Sequence, residues 1–402
     1  MTTESVAAPL AGVKVLDLTR LLPGNYATLL LAGLGADVIK IEDTAAGDGT
    51  RGAPPFVGGG SAAHATLNRG KRSVQFNLKE TADRELFLAL VAHADVVVDS
   101  FRPGVLDRLV LGDGVLEATN PALVHVSLVA YDVDGARALL PGHDLNAQAL
   151  SGVLSLTTDD GGRPAMPGVQ SADLAAGTQV ALAVLTGLWS TRTNPAEGAR
   201  YFRTSVSMLD SAYGLLGLSG AQAAAAMRGE SNEPGSRQML TGALACYDLY
   251  ECSDGAYIAV GALEPQFFVR ICELLDRQDL TPLQYNLARQ DELRDELSTI
   301  FSSHTRGHWT ELLSAEDTCV TPVLSVVEAL GDPDATARAL IHDVAAADGS
   351  ALNAVRTVPW LPAEGATAKA PVLGADNDDV RAAAAAGEWP ACRPAGNVGG
   401  GS

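Results

Sequence analysis

An imidazole and two carboxylates stand in contexts from which they can move a proton. His143 lies in Pro141-Gly-His-Asp-Leu-Asn146, at the head of an apolar helical segment running to Leu156. A Gly-His-Asp turn there ties down the backbone and leaves the ring free to face a cavity. Asp173 follows thirty positions later in Ser171-Ala-Asp-Leu-Ala-Ala-Gly177, and Glu264 lies in Gly261-Ala-Leu-Glu-Pro-Gln-Phe-Phe268. An imidazole titrates near neutrality without help, and a carboxyl group reaches that range by desolvation. Groups matched to the working pH carry protons efficiently. One imidazole and a carboxylate flanking a carbon are a toolkit for removing a proton and returning it. Taken singly, His143 also fits a structural turn histidine, and Asp173 a helix cap.

The elements that must position these residues read as an α/β chain. Residues 13–18 form an apolar run suited to a buried strand, 20–25 a loop, 26–34 a compact helix and 38–42 a second strand. This β-loop-α-β unit predicts a parallel sheet with a right-handed crossover. The loop is not Gly-x-Gly-x-x-Gly, so a dinucleotide fingerprint is absent. A helix beginning after Pro23-Gly24 would offer free N–H groups to a phosphate; an ordinary strand-to-helix turn fits equally. Asn68-Arg-Gly-Lys-Arg72 is a basic knot ahead of a strand-like run, either a diphosphate holder or a solvated turn. A helix over 81–94, a strand over 95–99, a short helix over 105–111 carrying Arg108, and a strand over 123–129 continue the alternation.

Asp173 is expected just before a long apolar helix over 174–191, with a second helical stretch over 204–227. Residues 228–237 have a linker's composition. Strands over 245–251 and 256–262, joined through Ser253-Asp-Gly255, predict a hairpin. Glu264-Pro265 opens a helix, further helices span 292–302 and 308–315, and 320–324 reads as a return strand. Short strands and a final Ala-rich helix are expected over 335–385. The division is thus a large Rossmann-like domain over 1–200, a linker helix over 201–229, a small α+β domain over 230–330, and a return to the large domain over 331–402.

A chain of 402 residues predicts two domains. With 47% hydrophobic and 19% charged residues it has the composition of a soluble enzyme. A net charge of −20 argues against nucleic-acid and anionic-membrane partners, which need Lys/Arg surfaces. Cys246, Cys252, Cys272, Cys319 and Cys392 form no Cys-x-x-Cys pair, so neither a disulfide framework nor a metal site is expected and a cytoplasmic location is. No secretory signal and no uncharged apolar run of membrane length are expected.

Several motifs become specific when taken in order: Leu10-Ala-Gly-Val-Lys-Val-Leu-Asp-Leu18, Gly35-Ala-Asp-Val-Ile-Lys-Ile-Glu42, Arg69-Gly-Lys-Arg-Ser73, Phe101-Arg-Pro-Gly-Val105, Gly142-His-Asp-Leu-Asn146, Tyr250-Glu-Cys252 with the Glu264 motif, and Cys319-Val-Thr-Pro-Val323. Over nearly the whole chain these resemble the class III coenzyme A transferase superfamily (CaiB/BaiF type), and most closely the α-methylacyl-CoA racemases. The resemblance implies an interlocked homodimer, a large Rossmann-like domain with a parallel sheet, and a smaller α+β domain. It implies His143 and Asp173 as the acid/base pair, with Glu264 orienting the histidine from the partner subunit. Transferase relatives instead use an aspartate at the Asp173 position as the acyl-accepting nucleophile, and usually lack the histidine.

By the same resemblance, Phe76, Asn77, Leu78, Lys79, Arg108, Gly142, Asp144, Asn146 and Ala147 line the site of the acyl carrier. No separate cofactor is required, because the CoA moiety belongs to the substrate. Four places depart from the family's pattern: Asp43 where a nucleotide-binding Arg is usual, Ala147 where Tyr is usual, Val129-Ala-Tyr-Asp132 in place of Thr-Gly-Trp-Gly, and Ala172 in a normally Gly-rich run. An anion beside a phosphate site is unfavourable, and alanine limits close backbone approach. Either CoA binds weakly or differently, or the acyl substrate is a non-CoA biosynthetic intermediate.

Overall fold

The computed structural model describes residues 8–159, 161–193, 200–231, 237–361 and 369–391. Cys392 and the middle of the expected linker, 232–236, lie outside the described residues. The chain divides into two compact units: Met1–Val153, Pro167–Leu215 and Pro333–Ser402 form the first, and Leu154–Met166 with Leu216–Asp332 the second. The second unit thus begins earlier than residue 230 and includes the excursion between the His143 and Asp173 segments.

The first unit is built on six parallel strands: β1 (Lys14–Leu18), β2 (Asp37–Glu42), β3 (Arg72–Gln75), β4 (Val96–Asp99), β5 (Val124–Val129) and β6 (Phe202–Ser207). Their order is β3-β2-β1-β4-β5-β6. This is the doubly wound order, whose direction reverses between β1 and β4 and whose ligands gather at the strands' carboxyl ends. Alternate side chains feed two cores, as strand geometry requires. Val15, Val38, Val96 and Val126 pack with helices α1 (Leu21–Gly33) and α4 (Ser171–Thr193). On the other face, Leu16, Ile39, Val74 and Val97 pack with α2 (Thr81–Val91) and a late helix over Asn377–Ala385.

Three sequence expectations need correction. Helix α1 begins at Leu21 rather than after Pro23-Gly24, because proline is tolerated in a first turn whose N–H groups need no helical acceptor. The expected helix over 204–227 is instead strand β6 followed by α5 (Met208–Gly214) and, in the second unit, α6 (Gly217–Met227). The basic knot is neither a diphosphate holder nor a solvated turn. Lys71 and Arg72 are buried, Lys71 bonded to Thr28 and Asn68 at 2.7 and 2.8 Å and Arg72 paired with Asp37. Helix α4, 23 residues long, is apolar enough by length and composition to cross a bilayer. It serves as a core helix, with Val180, Val184 and Leu188 buried.

The second unit carries an antiparallel sheet of β7 (Tyr247–Glu251), β8 (Tyr257–Gly261) and β9 (Val320–Pro322), in the order β9-β8-β7. Helices α7 (Pro265–Leu274), α8 (Gln290–Phe301) and α9 (Arg306–Leu313) cover it through Phe268, Leu297 and Trp309.

Candidate active site

The chain leaves the carboxyl end of β5 at Val129 and reaches α3 (Asp144–Ser151) through a loop ending in Gly142-His143. A Cβ on Gly142 would lie 2.7 Å from the Tyr131 hydroxyl oxygen and 2.9 Å from Cζ of its ring, so glycine is required where the turn presses on that ring. His143 is the N-cap of α3, in extended backbone, and its ring is exposed. Its N–H donates to Oδ1 of Asn146 at 3.0 Å, which fixes the turn. By position, the N–H groups of Asp144 and Leu145 have no acceptor within the helix, so a polarised oxygen can be met there.

Asp144 turns inward and is buried. Its Oδ2 accepts from Nε2 of Gln148 at 2.6 Å. Its Oδ1 accepts from the N–H groups of Ala172 and Asp173, at 2.9 and 3.1 Å. One carboxylate therefore ties the His143 turn to the first turn of α4. Asp173 lies within that turn, not ahead of it, with Oδ1 buried and without a hydrogen-bond partner. Burial, helped by the negative charge of Asp144, pushes the Asp173 carboxyl up to about 7. Asp173 is thus a half-buried acid one hydrogen bond away from the residue that follows His143.

The remaining predicted residues are dispersed. Asn146 is exposed near His143 in the sequence, whereas Ala147 belongs to the hydrophobic core to which α1 and α4 also contribute. Phe76 and Leu78 are core side chains on the opposite face, and the Phe76 ring lies 5.1 Å beneath the Arg381 guanidinium. Asn77 shapes the following turn, its N–H donating to Asp83 at 2.7 Å. Lys79 and Arg108 are exposed. Glu264 is the N-cap of α7 in the second unit, exposed and making no side-chain capping bond.

Asp43, the departure that most affects nucleotide binding, closes a turn: its Oδ1 accepts from Ala45, Ala46 and Gly47. Arg20 from the end of β1 reaches its other oxygen at 3.3 Å, so a cation remains at this edge of the sheet. Sequence reasoning missed Gln148, whose place four residues after Asp144 on one helical face was a usable signal. It also missed a cavity of about 70 Å3 lined by Asp99, Phe101, Arg102, Ser127 and Arg203, among others; neither His143 nor Asp173 lines it.

A profile of CoA-transferase family III matches residues 10–377. The chain belongs to this family. Mouse alpha-methylacyl-CoA racemase is 31% identical over 356 residues, covering 88% of this chain and 86% of the relative. Acetyl-CoA:oxalate CoA-transferase of Acetobacter aceti is also 31% identical, covering 85% of this chain and 87% of the relative. Among solved structures, a CAIB/BAIF family protein from Brucella suis superposes with a TM-score of 0.79 at 26% identity, covering 94% of this chain and 99% of its own. A hypothetical protein from Mycobacterium tuberculosis gives 0.77 at 28% identity, covering 94% of this chain and 100% of its own. Family III thus accounts for the α/β architecture and marks the chain as an enzyme of the transferase and racemase group.

Proposed function

We propose that this family III enzyme racemises or epimerises the carbon α to an acyl thioester, an α-methylacyl-CoA-like substrate, by transferring a proton between two bases. The observation carrying this reading is the Asp173 carboxyl, whose buried Oδ1 has no hydrogen-bond partner, fixed through Asp144 to the turn that holds His143; burial pushes that carboxyl up to about 7. His143 takes or gives the proton on one face of the α carbon and Asp173 does the reverse on the other. The intermediate enolate meets the free N–H groups at the start of α3, donors that favour a developing oxyanion. The CoA portion follows the carboxyl edge of the sheet, where Arg20 stands in for the cation missing at position 43. No metal takes part, the working compartment is the cytoplasm, and neither nucleic acid nor membrane is a partner.

The functional unit we infer is an interlocked homodimer in which Glu264 of one copy orients His143 of the other. Exposed apolar side chains along the outer face of α4 (Leu182, Leu185 and Trp189, the last 73% exposed) support a covered surface there. The test is incubation of one enantiomer of an α-methylacyl-CoA in deuterium oxide. Deuterium at the α carbon of both enantiomers, lost in Asp173→Asn and His143→Gln, is expected; acyl transfer without exchange sinks the reading.

A second reading is favoured by the transferase relative of equal identity. Asp173 would then attack the thioester carbonyl and release CoA as the thiolate, giving an acyl–aspartyl anhydride; the returning CoA thiolate attacks the aspartyl carbonyl, giving an aspartyl thioester and expelling the original acyl group as its free carboxylate. Hydroxylamine trapping at Asp173 distinguishes it. A third, a proton-coupled reaction such as ring closure or double-bond migration on a non-CoA ligand, rests on Asp43 and Ala147. Absence of measurable acetyl-CoA binding would favour it.

A further inference from the structure

We propose that Asp144 is the positioning residue of this centre: its carboxylate occupies the first-turn N–H groups of α4 and so denies them to Asp173, leaving Asp173 to act as a proton carrier. This rests on the two-base reading above. An aspartate in the first turn of a helix ordinarily gains from the free N–H groups and the positive end of the dipole, both of which favour its ionised form. Here that end is already taken. Oδ1 of Asp144 receives Ala172 N–H at 2.9 Å and Asp173 N–H at 3.1 Å, and Gln148 holds Oδ2 at 2.6 Å. Asp173 meets a fixed negative charge where it would otherwise find donors, and its buried Oδ1 finds no partner.

The opposite outcome to the usual first-turn aspartate follows, with burial first and Asp144 second in holding the Asp173 carboxyl high. Titratable groups on the elements around α4 are Tyr26 on α1, His143 and Asp144 at α3, His125 on β5, Arg203 on β6, and Asp210 and Tyr213 on α5. Of these, Asp144 is the group whose charge acts on Asp173. With both oxygens committed inside the fold, Asp144 touches no substrate. It acts through the position and protonation of Asp173. Gln148 is its second support, since nothing else among the described contacts donates to Oδ2.

Asp144→Asn separates charge from geometry, because an amide oxygen can still accept the two N–H groups while the Gln148 amide flips to accept from Nδ2. The readout is the 13C carboxyl signal of Asp173 in protein labelled at aspartate Cγ, assigned by its loss in Asp173→Asn. In Asp144→Asn the midpoint of that signal should fall by on the order of one pH unit, and the acid limb of α-hydrogen exchange should move with it. An unchanged midpoint in a folded variant overturns the proposal. A merely structural role would lower turnover and leave the midpoint in place. Should Asp144→Asn not fold, Gln148→Met, which removes the donor that holds Oδ2 of Asp144 at 2.6 Å, decides: the Asp173 midpoint should move in that variant, and an unchanged midpoint overturns the proposal. The carboxyl titration needs no substrate, so failure to exchange any acyl-CoA would sink the proposed reaction without deciding the role of Asp144.

Discussion

Asp17 on β1 and Lys40 on β2 stand opposite each other in the parallel register, both wholly buried, with Nζ 3.5 Å from Oδ2. Lys71 adds a second ammonium 3.3 Å from the same oxygen, and Asp48 a second carboxylate 3.0 Å from Lys40. Thr19 donates to Asp17, Asn25 accepts from Lys40, and Thr28 and Asn68 accept from Lys71. Two basic and two acidic side chains thus meet near the carboxyl ends of β1 and β2, where Asp17 and Lys40 each stand three residues before Arg20 and Asp43.

Asp17→Asn breaks that balance and leaves Lys40 and Lys71 sharing Asp48. Removing one member of a buried ion group costs about 3–5 kcal/mol. Denaturant unfolding should show a loss of that order, with partial recovery in the double variant Asp17→Asn, Lys71→Met. A double variant whose loss equals the sum of those of Asp17→Asn and Lys71→Met alone would mean that the two residues are energetically independent.

Stability should also register Asp173. Its folded carboxyl titrates at about 7, above the ordinary value of 3.8, so between these limits the folded chain holds a proton that the unfolded chain has released. The contribution to stability is fully present below the unfolded value and is lost as pH rises through the folded one. Asp173→Asn should therefore melt higher than the parent at about pH 8 and match it near pH 4. Equal melting temperatures at the higher pH would show that the carboxyl is not held in an unfavourable environment.

The contrast between these two sites explains what sequence can and cannot reveal. Strands β1, β2, β4 and β5 were legible as short apolar runs because a parallel sheet buries both faces. Strand β6 falls where the sequence predicts a helix from residue 204, although Phe202, Thr204 and Val206 alternate; as an edge strand it is only half-buried and its run lacks the Val-rich signature. Asn68-Arg-Gly-Lys-Arg72 looked solvated or ligand-binding because its partners Asp17, Thr28 and Asp37 are distant in sequence. His143 and Asp173 could be named from their motifs. That Asp144 joins them could not, since that link depends on where two helices meet.

The meeting of α1 and α4 gives a further prediction. Gly177 lies where a Cβ would sit 2.6 Å from the Pro23 carbonyl oxygen and 2.9 Å from the Tyr26 ring. Backbone on one side cannot yield as a flexible side chain would. Gly177→Ala should push the helices apart and destabilise the fold by about 1–3 kcal/mol. It should also disturb turnover, since Asp173 lies one turn earlier on the same helix. A neutral effect in thermal melting would mean that α4 shifts at little cost.

Glu264 offers the test of assembly. It is exposed at the N-cap of α7 and makes no capping bond, so Glu264→Gln should change stability by no more than about 0.5 kcal/mol. Its effect on turnover is expected to be far larger, toward the roughly 10²–10⁴-fold associated with acid–base groups. If Glu264 serves the His143–Asp173 pair of the other copy, a mixed dimer of His143→Gln and Glu264→Gln subunits contains one site with both defects and one with none. Refolding the two inactive variants together should then recover a substantial fraction of parental racemisation. If Glu264 serves its own copy, each site keeps one defect and mixing restores nothing. A mixture as inactive as its components, with exchange into mixed dimers verified by differential tagging, would rule out the shared site.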